Sequence, residues 1–264
     1  MKRAYTEIPE GQMHYRSAGN GKNYVILMHM SGSSSDEFEC VGDILAERGF
    51  HTFAVDLLAF GSSDRPPHVY SMDEHANTII SFMNATGIDS AYLYGNLATA
   101  NLAVHIGASY SSRVKGMLLA HPLYNPDSTY FLKKRALPDC DAIKPMADGS
   151  HLAEMWRRST KYGSSADVSD ARCCCLHQAG EWGETLHWAL FEDVPLATLL
   201  FQIKAPTTVV AYSTFGEPLL LKEATAMLPN GKYDIYEGAN PYIARTEPER
   251  VADMFCKYFP GAKD

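Results

Sequence analysis

The sequence predicts an α/β protein with a mostly parallel sheet covered by helices on both faces, and three features carry that prediction. Short apolar runs rich in β-formers alternate with amphipathic stretches along the chain, the runs are apolar on consecutive residues, and small or capping residues punctuate the boundaries. Strands buried on both faces lose polar/apolar alternation, and parallel neighbours need a crossover, usually a helix.

In chain order, residues 24–28 (Tyr-Val-Ile-Leu-Met) read as a buried strand that opens onto the small, polar segment 31–35. Over 36–48, Phe38, Val41, Ile44 and Leu45 recur at helical spacing, and Gly49 stands where a helix C-cap belongs. A strand follows over 51–55. Ser71 and Glu74 form a capping box ahead of Ile79, Ile80 and Met83, and Gly87 ends that helix. Residues 91–94 predict a strand running into Gly95, 102–108 a helix and 114–120 a strand. The pattern then changes. Over 125–200 there is no clear strand, and helical stretches near 152–160 and 182–191 predict an inserted helical lid between two parts of one core, 1–124 and 201–264. The core resumes with a strand at 207–212, a helix at 217–227, a strand at 233–236 and a final helix at 248–258.

Composition bounds the function. The chain has 264 residues, 46% hydrophobic and 20% charged, which excludes disordered and fibrous classes. Its 31 acidic against 23 basic residues give a formal charge of −8, the wrong sign for tracking a phosphate backbone or an anionic membrane. The first eleven residues hold no apolar stretch of signal-peptide length, and no apolar run has membrane-spanning length. Six cysteines, at 40, 140, 173, 174, 175 and 256, do not make a regular disulfide framework, so reduced thiols in the cytoplasm are expected. Cys173, Cys174 and Cys175 with His177 and His187 lack the paired spacing of a metal site; no metal and no cofactor are expected.

On these elements the chain resembles the α/β-hydrolase superfamily over nearly its full length. Residues 29–38, His-Met-Ser-Gly-Ser-Ser-Ser-Asp-Glu-Phe, are similar to the family's oxyanion loop, with Met30 in place of a glycine. Residues 56–66 are similar to its Asp-x-x-Gly-x-Gly-x-Ser turn, and residues 93–100 fall where it carries the G-x-S-x-G nucleophile elbow. The resemblance implies a Ser/acid/His triad, and the sequence departs from it at each member. Leu97 holds the nucleophile position, and Thr99 replaces the second elbow glycine. Tyr212-Ser213-Thr214-Phe215-Gly216-Glu217 supplies no aspartate, and the base position falls on Pro241 or Asn240. A leucine has no lone pair, and neither proline nor asparagine accepts a proton at neutral pH.

The resemblance implies that the backbone amides of Ser31 and Ala98 converge as an oxyanion hole. His121, at a strand end facing the crevice, is the candidate acid or base. Met30, Asn96, Leu97, Tyr124, Trp182, Thr214, Phe215, Asn240 and Tyr242 are the expected pocket residues. His29, His105, Asp56 and Glu37 read as structural or pocket groups, and Trp156, Trp188 and Phe191 as lid packing. The leading expectation is a degenerate-triad protein that binds a small, partly apolar organic molecule between core and lid, either as a non-hydrolytic lyase, cyclase or decarboxylase or without turnover. The alternatives are a non-catalytic sensor or interaction protein, with a protein partner or a homodimer, and a hydrolase with a relocated base.

Overall fold

The β-strands are β1 (Lys2–Ile8), β2 (Gly11–Ala18), β3 (Asn23–Met28), β4 (Phe50–Val55), β5 (Ala91–Asn96), β6 (Val114–Ala120), β7 (Thr207–Tyr212) and β8 (Gly231–Tyr236). They form one sheet in the order β1-β2-β4-β3-β5-β6-β7-β8, antiparallel at β1/β2 and β2/β4 and parallel from β4 onward. These coordinates are a computed structural model and describe residues 1–137, 142–160 and 164–260. Cys140 lies outside the described residues.

The α-helices of the first half are α1 (Glu39–Glu47), α2 (Met72–Ala85) and α3 (Ala98–Ser109). Between β6 and β7 come α4 (Tyr130–Arg135), α5 (Ser150–Ser159), α6 (Ala166–Ala179), α7 (Thr185–Phe191) and α8 (Ala197–Leu200). Then follow α9 (Pro218–Thr225), α10 (Ile243–Thr246) and α11 (Pro248–Tyr258).

The apolar runs are strands because both of their faces are covered. On β3, Ile26 and Met28 join one buried cluster with α2 and α3, while Val25 and Leu27 join a second with α1 and α11. Successive residues of a strand point to opposite faces, so a run with no polar alternation needs two apolar layers. The capping box is present: the Glu74 N–H donates to Ser71 Oγ at 3.2 Å and the Ser71 N–H to Glu74 Oε2 at 2.8 Å.

The hairpin β1–β2, the start of α3 and helices α4, α6, α8 and α10 differ from the sequence expectation. The hairpin β1–β2 was not foreseen, because β1 is largely exposed and lacks an apolar side to betray it. The hairpin extends the sheet beyond β4. Helix α3 starts at Ala98 rather than near 102, since its first turn is small and polar. Helix α6 is also unforeseen. Its sequence has weak amphipathicity, with Ser165 before its first turn and Gly180 at its end, the latter with φ 59°.

Two close contacts hold the layers in place. Gly95 ends β5 so near α3 that a β-carbon there would lie 2.3 Å from the Thr99 carbonyl oxygen and 2.6 Å from the Ala100 nitrogen. His105 on α3 lies between two carboxylates: Nδ1 donates to Asp73 Oδ1 at 2.8 Å and Nε2 to Asp193 Oδ2 at 2.5 Å, just beyond α7. Burial by itself lowers the His105 pKa. The hydrogen bonds and charges of Asp193, then Asp73, outweigh it and raise the pKa above the ordinary 6.5.

Gly95→Ala is therefore expected to destabilise the protein by about 3 kcal/mol or more, read as a lowered urea midpoint, because backbone rather than a flexible side chain must yield. A raised folded-state pKa makes the His105 contribution complete below the unfolded value of 6.5 and lost as pH rises through the folded value. His105→Gln should cost about 1–2 kcal/mol at pH 6, and the gap to wild type should shrink as pH rises toward 9. A gap independent of pH would contradict the charged-histidine assignment.

Candidate functional site

Leu97 stands alone between the end of β5 and the first residue of α3, with φ 56° and ψ −115°. Such a backbone is costly for a residue with a side chain and persists where surrounding bonds fix it. Here the Leu97 N–H donates to the Ala120 carbonyl at 2.9 Å, and the Ala100 N–H donates to the Leu97 carbonyl at 2.9 Å. Thr99 completes the turn: its hydroxyl donates to the Met28 carbonyl at 2.8 Å and accepts the Asn96 N–H at 2.9 Å. The Thr99 side chain thus adds hydrogen bonds across the elbow. The Leu97 side chain is 7% exposed and packs in the cluster that holds Met30, Val168 and Tyr242.

Beneath Leu97 lies a buried polar network. The Asn96 amide donates to Glu37 Oε1 at 2.8 Å and to the Pro241 carbonyl at 2.9 Å, and its oxygen accepts the Tyr212 hydroxyl at 2.8 Å. Glu37 Oε2 accepts the Met30 N–H at 3.3 Å. Asn240 turns its Oδ1 to the Tyr242 N–H at 2.9 Å, and Thr214 its hydroxyl to the Ala239 carbonyl at 2.5 Å. Burial first, with neighbouring charge, raises the Tyr94, Tyr212 and Tyr236 phenols well above their ordinary range, so all three stay protonated.

The loop after β3 and the elbow leave the sheet side by side, since Met28 and Gly95 are register partners and Ser31 and Ala98 each follow three residues on. The Ala98 N–H is the first of α3, one of the donors a helix start leaves without an intrahelical acceptor. Over this loop sits α6. Arg172 Nη1 donates to the Ser31 carbonyl at 3.0 Å, the Ser31 hydroxyl to the Gly183 carbonyl at 3.3 Å, and Tyr242 Oη to the Ser159 carbonyl at 3.1 Å. Leu176 fills the space above Gly32, where a β-carbon would meet it at 2.6 Å. Cys175 Sγ lies 3.6 Å from Ser34 Oγ, and burial pushes its thiol up to about 11. Cys175 is thus a packing thiol at the lid–core seam.

His29 and Asp56 brace these loops. His29 Nδ1 donates to the Met30 carbonyl at 2.9 Å and Nε2 accepts the Leu57 N–H at 3.2 Å. Asp56 accepts from His14 Nδ1 at 2.8 Å, the Ser35 N–H at 2.5 Å and the Ser62 N–H at 2.8 Å. Burial alone would raise the Asp56 pKa; the hydrogen bond from His14 and these amides outweigh it and lower it.

Most of the expected site residues fall into two groups. Met30, Ser31, Asn96, Leu97, Ala98, Asn240 and Tyr242 cluster at the elbow or in the network beneath it. His121, Tyr124 and Phe215 instead line a separate cleft of about 110 Å³ beside Glu217, and Leu97 does not reach it. His121, expected as an acid or base at a strand end facing the crevice, follows β6 with φ 50° and lines this cleft. Its Nδ1 accepts the Tyr212 N–H at 2.9 Å, which puts the ring proton on Nε2, and burial pushes its pKa down to about 4. Tyr212 links the two groups by stacking on His121 at 5.4 Å while bonding Asn96. Trp182 belongs to neither group; it ends the 3-10 turn Gly180–Trp182 and packs against the α2/α3 side of the core. Five clefts stand out among the described residues, and none of these five is lined by Leu97, Ser31 or Ala98. Sequence reasoning missed Tyr212 and Arg172: the first shows only as an apolar strand residue, the second only as a charge on an unforeseen helix. Among the described residues no group of three or more His, Cys, Asp or Glu side chains is arranged to hold a metal ion, and no helix is long and apolar enough to cross a membrane.

Comparison with known proteins agrees with this architecture. Residues 23–161 match the family model of the alpha/beta hydrolase fold. Haloalkane dehalogenase 2 of Mycobacterium bovis is 29% identical over 124 residues, 47% of this chain and 43% of the relative. A 2-hydroxy-6-oxononadienedioate/2-hydroxy-6-oxononatrienedioate hydrolase of Paraburkholderia phymatum is 30% identical over 123 residues, 44% of this chain and 43% of the relative. The chain thus spans less than half the length of these curated relatives. Among solved structures, a thermophilic esterase from Thermogutta terrifontis superimposes with a TM-score of 0.82 at 18% identity, covering 98% of each chain. The family match, the sheet order and the strained turn at residue 97 agree, and the chain belongs to the α/β-hydrolase fold family.

Proposed function

We propose that this chain is an α/β-hydrolase-fold protein without a working nucleophile–acid–base triad, and that it binds a small, partly apolar organic molecule between core and lid with no covalent intermediate. The observation that carries this reading is Leu97, an isobutyl group at the strained strand–helix turn. No acyl, alkyl or glycosyl bond forms on a side chain without a lone pair. Two other positions support it. Glu217 lies beside the His121 cleft rather than in the network under Leu97, and the Pro241 and Asn240 oxygens already accept hydrogen bonds.

Binding is favoured over lyase, cyclase or decarboxylase chemistry at the Ser31 and Ala98 amides, because His121 spends its Nδ1 lone pair on Tyr212 and faces another cleft. Entry to the elbow requires α6 to lift. The polar contacts that seat it, Arg172 on the Ser31 carbonyl and Ser31 on the Gly183 carbonyl, are ones water can replace. A cytoplasmic ligand sensor that shows a partner a changed lid fits the same geometry.

The test is to incubate the pure chain with a soluble metabolite extract and follow every mass feature. Depletion capped near one molecule per protein, with the same compound released on denaturation, is expected; depletion far above that with a new product mass would make it an enzyme. Leu97→Ser is expected to leave hydrolysis of p-nitrophenyl esters at background, since a serine there meets no free base. Rates raised by about 100-fold or more, the scale general-base assistance supplies, would show that a base is in reach and overturn the reading.

A further inference from the structure

The face of the β1–β2 hairpin turned toward α6 carries an unusual pairing. The register sets Arg3 opposite Arg16 and Tyr5 opposite His14, and the period of two puts all four on one face. Like charges directly opposite on one face of an antiparallel pair repel. These four side chains line an open cleft of about 310 Å³ together with residues of segments 34–36 and 56–62 and of α6.

Arg16 gives the cleft its chemistry. Its side chain is 9% exposed, yet Nε and Nη1 have no hydrogen-bond acceptor. The carboxylate paired with it, Glu39, stands 3.5 Å from Nη1 and is itself 47% exposed. The two carboxylates in the cleft wall have partners, Asp36 through one of its oxygens and Asp56 through both. Asp36 Oδ1 takes Arg245 Nη2 at 2.8 Å and the Ser34 hydroxyl at 2.5 Å, and Asp56 is saturated by His14 and two backbone amides. A largely buried guanidinium with unfilled donors, lining a cleft with the arginine in register opposite it, is a site for a planar or tetrahedral oxyanion.

We propose that this cleft is a binding site for the oxyanion group of a small molecule, a carboxylate or a phosphate, held by Arg16 and Arg3. It is distinct from the elbow and does not depend on the function argued for residue 97. The anion replaces the absent acceptor on Arg16 and screens Arg3 from Arg16.

The test titrates the full chain with inorganic phosphate, and separately with succinate, at ionic strength held constant with sodium chloride, reading the unfolding temperature and the heat of binding. A saturable rise with phosphate alone assigns the phosphate class, and one with succinate alone or with both assigns the carboxylate or a general oxyanion site; each supports the proposal if Arg16→Gln weakens the apparent affinity by tenfold or more. Arg16→Lys should recover only part of it, because an ammonium has no fork. No saturable rise with either anion, or a rise unchanged in Arg16→Gln, overturns it. If Arg16→Gln does not fold, the exposed Arg3→Gln serves in its place, and unchanged affinity there overturns the two-arginine site.

Discussion

A β-carbon at residue 95 would lie 2.3 Å from the Thr99 carbonyl oxygen, and the bare Cα there is what lets β5 turn directly into α3. That close approach forces residue 97 into a φ of 56° and sets the first N–H groups of α3 beside the loop that follows β3. In proteins of this architecture the same constraint presents a reactive group at the top of the sheet. Here the backbone keeps the constraint while the side chain is leucine. The strain is preserved by packing and by hydrogen bonds from Leu97 to Ala120 and from Thr99 to Met28, so it does not require chemistry at residue 97 to survive.

What lies under the elbow fits a fixed role better than a proton-transferring one. A general base needs a free lone pair and room for substrate, whereas Asn96 uses both amide hydrogens and its oxygen on Glu37, Pro241 and Tyr212. Satisfied buried networks rigidify and specify one arrangement. The buried Tyr236 hydroxyl, on the ring stacked against Tyr212, has no hydrogen-bond partner among the described residues.

The strands were legible because burial on both faces writes itself as uninterrupted apolar sequence; β6 and β7 begin and end where the composition does. The same holds for α2, announced by Ser71 and Glu74, and for α11, opened by Pro248. The hairpin was not legible because an edge pair that buries little needs no apolar pattern. Helix α6 was not legible because its contacts are spread around it. That residue 97 is a leucine was plain in the sequence, since it concerns the identity of one residue at a recognisable turn. The position of His121 was not. Whether a side chain at a strand end faces the elbow or a neighbouring cleft is set by one backbone dihedral and by the Tyr212 amide it meets, and neither leaves a trace in composition or spacing.

Helix α6 has two working faces, and its sequence explains them. Val168, Arg172 and Leu176, spaced by four, reach the elbow cluster, the Ser31 carbonyl and Gly32. Ala171, Cys174, Cys175 and Gln178, spaced by three and four, line the arginine cleft. One helix therefore covers the elbow on one face and lines the arginine cleft on another. If a ligand enters at the elbow by lifting α6, as proposed, the arginine cleft changes shape with it, and a ligand that prefers either shape biases the other. Any such coupling is reciprocal: whatever free energy an oxyanion in the cleft adds to the seated helix is subtracted from the affinity of a molecule that must lift it.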